Sequence, residues 1–498
     1  MNDLLDDLHI FEMANNHQGS VEHGLAIIDA AARVARAHRI KAAVKLQFRE
    51  LDTFIHADYR GRKDVAHLPR FESTRLERDE FRQLTDATRE AGLIPIATPF
   101  DEASVGLCLD LGVQVIKVAS CSATDWPLLE AIASARKPVI ASTGGLGIFE
   151  IDNLVSFFGK RVPSFALMHC VSLYPTPNEQ MALGFMEKMI RRYPYVRVGY
   201  SGHEAPDNTE VVVAAIAKGA RLLERHVGVP TEDIQLNAYS MDPDEMSEWV
   251  LAAQRARAIC GRDQSKHVSQ AEHDSLLSLQ RGVFAQKPLR KGQSIEPGDV
   301  FFAMPCREGQ LTSGDFGHLR AHFTASRDYN VGEAVFEKPA SDQISQLRGI
   351  LHDAKGQIFE AGIVLGDQYP VEISHHYGLE SFRQTGCILV NLVNREYAEK
   401  LLIMLPSQSH PLHHHKKKEE TFRLLWGDVE VSLNDETVTM RPGDSLLIQR
   451  GDVHGFSSVG GAIIQEVSTT HIVGDSYYED PRIRELDPMQ RKTILESW

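Results

Sequence analysis

The first half of the chain alternates between short apolar runs and longer segments whose apolar positions recur with a helical period. Eight runs appear in order before Pro230: HIFEMA, AAVKLQF, IPIATPF, VQVIKVAS, PVIASTG, FALMHCV, VRVGYSG and LLERHVGV. Helical patterns lie between them or after them at 24–37, 78–91, 103–111, 128–135 and 244–260. Strands that alternate with helices predict a parallel sheet with right-handed crossovers.

Eight such units within about 260 residues are typical of a (β/α)8 barrel, an α/β fold that we predict for residues 1–261. An open, doubly wound sheet is the alternative. It is less well supported, because no GxGxxG phrase follows an early strand and such a sheet rarely needs eight repeats.

A polar or ionisable side chain stands at or just after the end of each predicted strand. Because the strands of such a barrel are parallel, these side chains converge on one rim, where (β/α)8 enzymes carry out their chemistry. The rim set comprises Glu12, Asn15, Asn16, His17, Lys45, Gln47, Thr98, Asp101, Lys117, Ser120, Ser142, Thr143, His169, Ser172, Tyr174, Ser201, His203, Glu224 and His226. A serine at one strand end is often only a helix cap, but a structural barrel does not require polar groups at eight successive strand ends.

Two lysines and two histidines of the rim set carry the strongest chemical indications. Lys45 and Lys117 stand inside otherwise apolar strands, where an unpaired ammonium group is costly, so each needs an anionic partner such as a bound phosphate or carboxylate. His203 and His226 end neighbouring strands, and imidazole is the commonest metal ligand among side chains. They are either two ligands of one metal ion or two surface histidines that follow strands.

The pattern changes after Gly261. Residues 262–275 are polar and predict a linker. Residues 276–340 pair short apolar runs with Gly-containing turns, which predicts a small β-rich domain. Its basic residues face either a ligand or solvent, and they are Arg281, Lys287, Arg290, Lys291 and Arg307.

Residues 341–498 show strands punctuated by turns and no long helical period. His413 and His415 alternate, so both face the same side of a strand. With Glu420 and His454 they form a ligand set that suits a divalent transition metal. The spacing resembles the two cupin motifs, HxH-x4-E-x6-G and G-x5-PxG-x2-H, except that Gln449 replaces the usual proline. We therefore predict an all-β cupin jelly roll with a metal site, although the neighbouring KKKEE run can also be read as solvated.

Composition narrows the classes of function. The formal net charge of −15 argues against nucleic acid or an anionic membrane as the main partner, since both require basic surfaces. The six cysteines are scattered without a CxxC pair, which predicts a reduced, cytoplasmic protein. The amino terminus lacks the basic start of a signal peptide, and no uncharged apolar run has the length of a membrane span.

The first two predicted domains together resemble the sialic acid synthase family, which condenses phosphoenolpyruvate (PEP) with an aldose to make nonulosonic acids. The resemblance covers about residues 11–340, in which the small domain is similar to the antifreeze-like (SAF) domain of that family. The matching phrases, in family order, are EMANNHQG, VKLQF, IATPFD, IKVAS, ASTGG, MHCVSLYPTP, VGYSGHE and ERHVGV.

This resemblance implies roles for particular residues. It implies that His203 and His226 hold a divalent metal, Mn²⁺ or Mg²⁺. PEP contacts are implied for Lys45, Thr98, Lys117, Ser120, Ser142, Ser172 and Ser201, and sugar contacts for Gln47 and Tyr174. Arg307 would reach the active site of the partner subunit, which implies a domain-swapped homodimer. We expect the metal or Glu12, as an acid/base group, to deliver the water that the reaction consumes.

The chain departs from the family pattern on the sugar side. Ser120-Cys121-Ser122 stands in place of an SGE phrase, and residues 234–240 (IQLNAYS) stand in place of an acidic GPDH phrase. Ser172 stands where the family often has asparagine. The reaction class therefore transfers better than the identity of the aldose, for which an N-acylmannosamine-like sugar is one possibility.

The cupin extension is not part of the common family pattern. It is a second enzyme, for instance an isomerase or epimerase that supplies the aldose, or a sugar sensor, or an oligomerisation module. For the whole chain, the alternative is a non-catalytic sugar-binding or regulatory protein on a synthase scaffold.

Overall fold

The computed structural model describes residues 4–261, 266, 268–316, 322–338 and 343–497. The chain divides into two units, Met1–Lys266 and His267–Trp498, and the boundary between them falls within the predicted linker. The predicted limits of a separate SAF domain and a separate cupin domain stay predictions.

Eight parallel strands of the first unit close into a barrel in sequence order. They are β1 (His9–Glu12), β2 (Ala42–Phe48), β3 (Ile94–Pro99), β4 (Val115–Val118), β5 (Val139–Ser142), β6 (Phe165–Cys170), β7 (Arg197–Gly202) and β8 (Leu223–His226). β1 pairs with both β2 and β8, which places Glu12 opposite Lys45 on one side and opposite His226 on the other. The predicted (β/α)8 architecture is confirmed.

Helices connect and cover these strands. They are α1 (Val21–His38), α2 (Leu51–Phe54), α3 (Leu68–Ser73), α4 (Arg78–Glu90), α5 (Glu102–Asp110), α6 (Trp126–Ser134), α7 (Ile148–Phe158), α8 (Leu183–Arg192), α9 (Glu210–Ala217) and α10 (Pro243–Cys260). Side-chain caps define several starts: Ser20 accepts a hydrogen bond from the His23 amide, and Asp101 accepts one from the Ser104 amide. Each of the five predicted helical patterns corresponds to one of these helices.

Side chains of the barrel strands point alternately inward and outward, because successive residues of a strand face opposite sides. The apolar ones therefore form two hydrophobic clusters. Ile10, Ala43 and Ile96 belong to a cluster inside the barrel, whereas Phe11 and Val44 belong to the larger cluster that includes the helices. Two residues further along five of the strands, the inward face becomes polar, with Glu12, Lys45, Thr98, Lys117 and Ser142. The candidate site therefore rests on an apolar floor.

The second unit begins with α11 (Gln270–Leu279), which starts inside the predicted linker. It continues with the antiparallel pair β9 (Gly282–Ala285) and β10 (Val300–Ala303). A small core that includes Val283, Leu289 and Tyr329 lies beneath this pair. The small β-rich region predicted here is thus present.

Two antiparallel sheets form the rest of the second unit. One has seven strands in the order β18-β15-β20-β13-β12-β11-β22, and the other has five in the order β17-β16-β19-β14-β21. The strands are β11 (Val371–His375), β12 (Gly386–Asn394), β13 (Tyr397–Met404), β14 (Gln408–His415), β15 (Glu420–Gly427), β16 (Val429–Leu433), β17 (Glu436–Met440), β18 (Ser445–Ile448), β19 (His454–Ser458), β20 (Ala462–Thr469), β21 (Ser476–Tyr478) and β22 (Lys492–Leu495). The prediction of an all-β cupin region is confirmed for these sheets. Two short helices, α13 (Phe382–Thr385) and α14 (Pro481–Arg484), lie between strands.

The prediction that residues 341–498 contain no long helical period is wrong. An 18-residue helix, α12 (Gln343–Glu360), precedes the sheets and buries Ile350, Ala354 and Ile358 in the core of the seven-stranded sheet. The side-chain amide of Gln357 donates hydrogen bonds to the carbonyl oxygens of Met404 (2.8 Å) and Ala462 (3.1 Å). The helix is therefore part of the cupin core.

Within the described ranges, no helix has the length and apolar character needed to cross a membrane. All six cysteines fall within these ranges, and each is a free thiol.

Candidate functional site

A buried network of two lysines and two carboxylates lies at the mouth of the barrel. Lys45 Nζ is 2.8 Å from Glu224 Oε1, and Lys117 Nζ is 3.0 and 3.1 Å from the two oxygens of Glu224. Lys45 also forms an ion pair with Glu12, whose other oxygen accepts a hydrogen bond from the Ala14 amide at 2.7 Å. Ser201 Oγ donates to Glu224 Oε1 at 2.9 Å. Glu224 therefore connects three of the residues predicted to bind PEP.

The charges of this network shift the pKa values of its members in different directions. Burial opposes the charge on Glu224, but Lys117 and Lys45 outweigh it and hold the pKa of Glu224 well below its usual range. Burial also opposes the charge on Lys45, but Glu12 and Glu224 outweigh it and raise its pKa. Among the described residues, Lys117 pairs with the shared Glu224 alone, and burial lowers its pKa to about 8 with the help of the charge on Lys45. Of the two ammonium groups, Lys117 is the one that loses its proton more readily.

The network explains how Lys45 and Lys117 can be buried. Their anionic partners are carboxylates of the protein, Glu12 and Glu224, so the burial of Lys45 and Lys117 does not by itself require a bound anion. Glu224 was recognised only as one of many polar residues at strand ends. The signal that could have singled it out is its position two residues before His226, which places both side chains on the inward face of β8.

Two of the predicted PEP-binding hydroxyls, those of Ser120 and Ser172, meet at Gly144. The Gly144 amide donates a hydrogen bond to Ser120 Oγ at 2.9 Å. A Cβ atom at Gly144 would overlap Ser172 Oγ and would lie 2.8 Å from Ser120 Oγ. Ser142 is buried close by in sequence, and the buried hydroxyl of Thr98 has no hydrogen-bond partner. An unsatisfied buried hydroxyl is uncommon in proteins and is consistent with a ligand that binds there.

His203 and His226 lie side by side at the ends of β7 and β8, with ring centroids 5.3 Å apart. His203 Nδ1 is 3.0 Å from the carbonyl oxygen of Val171. Because a carbonyl only accepts, Nδ1 carries the proton and Nε2 presents a lone pair. Burial lowers the pKa of each histidine to about 3, so both imidazoles are neutral at physiological pH. Two neutral imidazoles on adjacent strands fit the predicted divalent metal.

A buried ion pair joins Glu204, the residue after His203, to Arg225, the residue before His226. Arg225 Nη1 donates to Glu204 Oε1 at 2.6 Å, and Arg225 Nη2 donates to the carbonyl oxygen of Glu204 at 3.0 Å. Both side chains are fully buried, and Tyr200 donates its hydroxyl hydrogen to the second carboxylate oxygen at 2.7 Å. This pair links β7 to the end of β8 directly behind the two histidines.

Two tyrosines stand beside the histidines. The Tyr174 ring centroid is 4.4 Å from that of His203, and the Tyr239 centroid is 5.1 Å from that of His226. The Thr176 amide donates to the carbonyl oxygen of His203 at 2.9 Å, which ties the loop of Tyr174 to β7. Tyr239 belongs to the segment that departs from the family pattern, and nothing in the sequence indicated that it would meet the histidines.

Gln47 is paired with an arginine that sequence reasoning missed. Arg49 Nη2 donates to Gln47 Oε1 at 2.9 Å, and its guanidinium lies over the rings of Phe71 and Phe100. Burial lowers the pKa of Arg49 to about 10. Among the described residues no carboxylate lies within ion-pair distance of Arg49, so this cation is available to a ligand.

Other rim residues make contacts that brace the rim. Asn16 Nδ2 donates to Val227 O and Ser240 Oγ, His169 bonds to Met181 O, and Thr143 Oγ1 donates to Met168 O. Asp101 caps α5. Arg307 belongs to the second unit, is exposed, and its backbone amide donates to Gln310 Oε1 at 2.9 Å. Its predicted reach into a partner subunit stays a prediction.

The four predicted cupin ligands come together in one buried cluster. One candidate ligand atom from each of His413, His415, Glu420 and His454 lies within 4.8 Å of the others. In the part of the chain that the structure describes, this is the one group of three or more His, Cys, Asp or Glu side chains close enough to share a metal ion. The barrel offers two imidazoles by comparison.

Backbone carbonyls fix all three cupin histidines in the same tautomer. The Nδ1 atoms of His413, His415 and His454 are 3.1, 2.8 and 3.1 Å from carbonyl oxygens of Pro411, Asp475 and Asp452 respectively. Each Nδ1 therefore donates, and each Nε2 keeps its lone pair for a metal. Burial lowers the pKa of His413 well below its usual range and that of His415 to about 4.

The arrangement around Glu420 also fits a cation. His454 Nε2 is 2.8 Å from Glu420 Oε1, and in the tautomer with the hydrogen on Nδ1 this nitrogen presents a lone pair to the carboxylate oxygen. These atoms and His415 Nε2 are buried without a satisfactory hydrogen-bond partner. A divalent metal between them would remove the repulsion. Lys418, from the KKKEE run, is buried rather than solvated and forms ion pairs with Glu420 and Glu466.

Comparisons with known proteins agree with both parts of this description. A model of the NeuB family matches residues 27–265, and a cupin domain model matches residues 400–467. A crystal structure described as spore coat polysaccharide biosynthesis protein E from Chromobacterium violaceum shares 43% sequence identity, covers 67% of this chain and 100% of its own, and has a TM-score of 0.65.

Two curated relatives are named as synthases. N-acetylneuraminate-9-phosphate synthase of Drosophila melanogaster is 28% identical and covers 66% of this chain and 94% of its own length. N,N'-diacetyllegionaminic acid synthase of Legionella pneumophila is 26% identical, and the match covers 59% of this chain and 85% of that protein's length. The chain therefore belongs to the NeuB family of sialic acid synthases and carries, in addition, a carboxyl-terminal cupin domain.

Proposed function

We propose that the barrel condenses PEP with an aldose, giving a nonulosonic acid and inorganic phosphate. The chain is an enzyme of the sialic acid synthase type by family, and its named relatives make N-acetylneuraminate 9-phosphate and N,N'-diacetyllegionaminate. The observation that carries the proposal is the barrel rim. There a lysine–carboxylate network, a cluster of hydroxyls and two neutral imidazoles meet at the carboxyl ends of the strands.

Lys45 and Lys117 would bind the phosphate and carboxylate of PEP together with the hydroxyls of Thr98, Ser120, Ser142, Ser172 and Ser201. The two lysines and the carboxylates of Glu12 and Glu224 balance one another in charge, so bound PEP needs further positive charge. Arg49 supplies one cation at the rim. A divalent metal supplies more, and this need supports metal binding by His203 and His226.

Mn²⁺ or Mg²⁺ held by His203 and His226 would act as a Lewis acid on the aldehyde oxygen of the open-chain aldose. In the reaction, C3 of PEP forms a bond to C1 of the aldose, water adds to C2, and the bond from C2 to the phosphate oxygen breaks. The ammonium groups of Lys45 and Lys117 would stabilise the negative charge that leaves with the phosphate, and their contacts with Glu224 support this role because they fix both groups in advance.

Glu12 remains the proposed acid/base group, but its contacts favour a positioning role. Its carboxylate accepts from the Ala14 amide and pairs with Lys45, so it holds Lys45 in the network. On the sugar side we propose contacts from Gln47 and Tyr174. Because Tyr239 stands beside His226, the sugar would meet an aromatic wall there.

For the second unit, we propose a divalent transition metal on His413, His415, Glu420 and His454, in a cupin that modifies or binds a sugar. We also propose a cytoplasmic, domain-swapped homodimer in which Arg307, from the SAF region at 276–340, completes the barrel site of its partner. The six free thiols are consistent with a reducing compartment.

A phosphate-release assay with PEP and a panel of aldoses tests the proposed reaction. We expect release to depend on both substrates and on an added divalent metal, with at least one N-acyl hexosamine as acceptor. His226→Ala should abolish PEP consumption, whereas His56→Ala, a change at an exposed histidine of the same unit, should not. No release with any hexosamine, hexose or pentose, or near-normal turnover of His226→Ala, would contradict the proposal.

A further inference from the structure

The cupin pocket contains a buried lysine that has no ion-pair partner among the described residues. Lys400, on β13, is 3% exposed and lines the pocket together with three of the candidate metal ligands, His413, His415 and Glu420. The carboxylates of Glu466, Glu372 and Glu420 act on its ammonium group through longer-range charge, and none of them forms an ion pair with it among the described residues. The neighbouring lysines differ: Lys418 is 2.9 Å from Glu466, and Lys492 is 3.1 Å from Glu372.

A buried ammonium group without a partner is costly, so its retention calls for an explanation. Burial lowers the pKa of Lys400, with the nearby carboxylate of Glu466 acting in the opposite direction. An apolar residue of similar length would fit a β-strand core at lower cost. The position therefore indicates a ligand that brings its own negative charge into the pocket.

The other charges of the pocket also favour a ligand that carries negative charge. Lys400 and Lys418 line the pocket with three carboxylates, those of Glu372, Glu420 and Glu466, and Glu372 is already paired with Lys492. A divalent metal added to this set leaves an excess of positive charge. A ligand with a carboxylate would reduce this excess, whereas a neutral aldose would not.

We propose that the cupin pocket binds the acid end of a sugar acid, with its carboxylate between Lys400 and the metal. A hydroxyl or carbonyl oxygen on the adjacent carbon would let the acid chelate the metal through two oxygens. This suits a site in which four protein ligands leave two positions of a six-coordinate ion open. About 70 Å³ of the pocket is accessible to water, which accommodates several water molecules but not a whole nine-carbon sugar. The acid end therefore enters, and the rest of the molecule extends outward.

The product proposed for the barrel is a 2-oxo acid of this class. Both sites of the chain would then handle the same kind of molecule, the barrel by making it and the cupin by binding it. This link depends on the proposed function of the barrel, but the carboxylate site in the cupin does not.

The test uses the full chain in the His226→Ala background, so that the remaining high-affinity metal lies in the cupin. The protein is loaded with Co²⁺, whose visible spectrum responds to new ligands. It is then titrated with N-acetylneuraminic acid and separately with the methyl ester of that acid, which has the same skeleton without the charge. We expect the acid to bind about tenfold tighter than the ester or better, as for a hydrogen bond to a charged group.

Lys400→Met should remove this preference for the acid while the protein still binds one Co²⁺, which also reports that the cupin is folded. Lys400→Arg should retain the preference in large part. Lys417→Met, which removes one exposed lysine near the same pocket, is the matched control and should change neither affinity.

Equal affinities for acid and ester, or a Lys400→Met protein that still prefers the acid, would overturn the proposal. Binding of the acid to a His454→Ala protein that has lost its Co²⁺ would overturn the part that assigns a contact to the metal. A failure of the barrel to release phosphate from PEP would leave this titration fully interpretable, so the two proposals can fail separately.

Discussion

Gly144 shows how closely the groups at the barrel rim approach one another. Its amide bonds to Ser120 Oγ, and the space where a Cβ atom would lie is taken by the hydroxyls of Ser120 and Ser172. Its φ angle is not one that requires glycine, so the constraint is space and not backbone strain. Both hydroxyls are ends of small side chains that can rotate away at little cost to folding.

Gly144→Ala should therefore impair the reaction much more than the fold. We expect kcat/KM for PEP to fall about a hundredfold, since displacement of binding groups by about 1 Å has effects of that size. The thermal unfolding temperature of the barrel should change by no more than a few degrees. Steady-state phosphate release and calorimetry measure the two effects.

Gly184→Ala is the matched control, because this glycine lies in α8 with nothing within 4 Å of its would-be Cβ. It should leave both quantities close to those of the unaltered protein. Full activity in Gly144→Ala would show that Ser120 and Ser172 do not contact PEP.

At the scale of single residues, the sequence predicted which side chains lie at the strand ends of the barrel. It did not predict which of these side chains contact one another. The polar ends of eight strands follow from a period of two and a common strand direction, and the structure places them accordingly. The pairing of Lys45 with Glu224 joins residues that are 179 positions apart. Such a contact depends on barrel closure, and no local pattern encodes it.

At the scale of elements, α12 is the clearest addition to the predicted architecture. Its apolar positions recur with a helical period and bury Ile350, Ala354 and Ile358 against the seven-stranded sheet. The helical period of these positions is weak, because only a few of them are buried in a segment that is otherwise polar and precedes many strands. The strands themselves were recognisable, because each is bounded by a turn.

Ile350→Ala should destabilise the cupin by about 2–5 kcal/mol, the usual cost of removing a large aliphatic side chain from a core. Calorimetry of the full chain should show one transition moved to lower temperature and the barrel transition unchanged. The cupin transition can be assigned because added metal should raise its temperature.

Phe359→Ala on the same helix provides the comparison, since Phe359 is 76% exposed. It should have little effect on either transition. Equal shifts from the two substitutions would mean that α12 does not form part of the cupin core.

At the scale of the whole molecule, two units carry two differently built candidate metal sites. The barrel and the all-β region that follows it could be predicted from the sequence, because strand–helix alternation and motif spacing are local properties. The limits between the regions were less predictable: α11 lies partly in the predicted linker, and the division into two units falls near Lys266. Contacts between distant segments decide such limits.

The two sites should lose metal in a definite order when a chelator is added to the Mn²⁺-loaded protein. The cupin has four ligand groups in place, whereas the barrel has two imidazoles and depends on substrate or water for the remaining positions. We expect one equivalent of metal to leave first and PEP-dependent phosphate release to be lost at the same chelator concentration. The second equivalent should remain bound. Metal analysis after gel filtration at each chelator concentration measures this order.

A His454→Ala protein should start with only the weakly held equivalent. Simultaneous loss of both ions, or earlier loss of the cupin ion, would contradict the expected order.

The carbonyl groups that hold the three cupin histidines thus have a consequence for the cell. Hydrogen bonds within the protein already orient the three imidazoles, so the proposed cupin ion would compete well for scarce metal, whereas the proposed barrel ion would depend on what remains. In metal-poor conditions the chain would stop making its product and still retain the ion in its cupin. Supply of Mn²⁺ or Mg²⁺, rather than damage to the protein, would then set the output of the synthase.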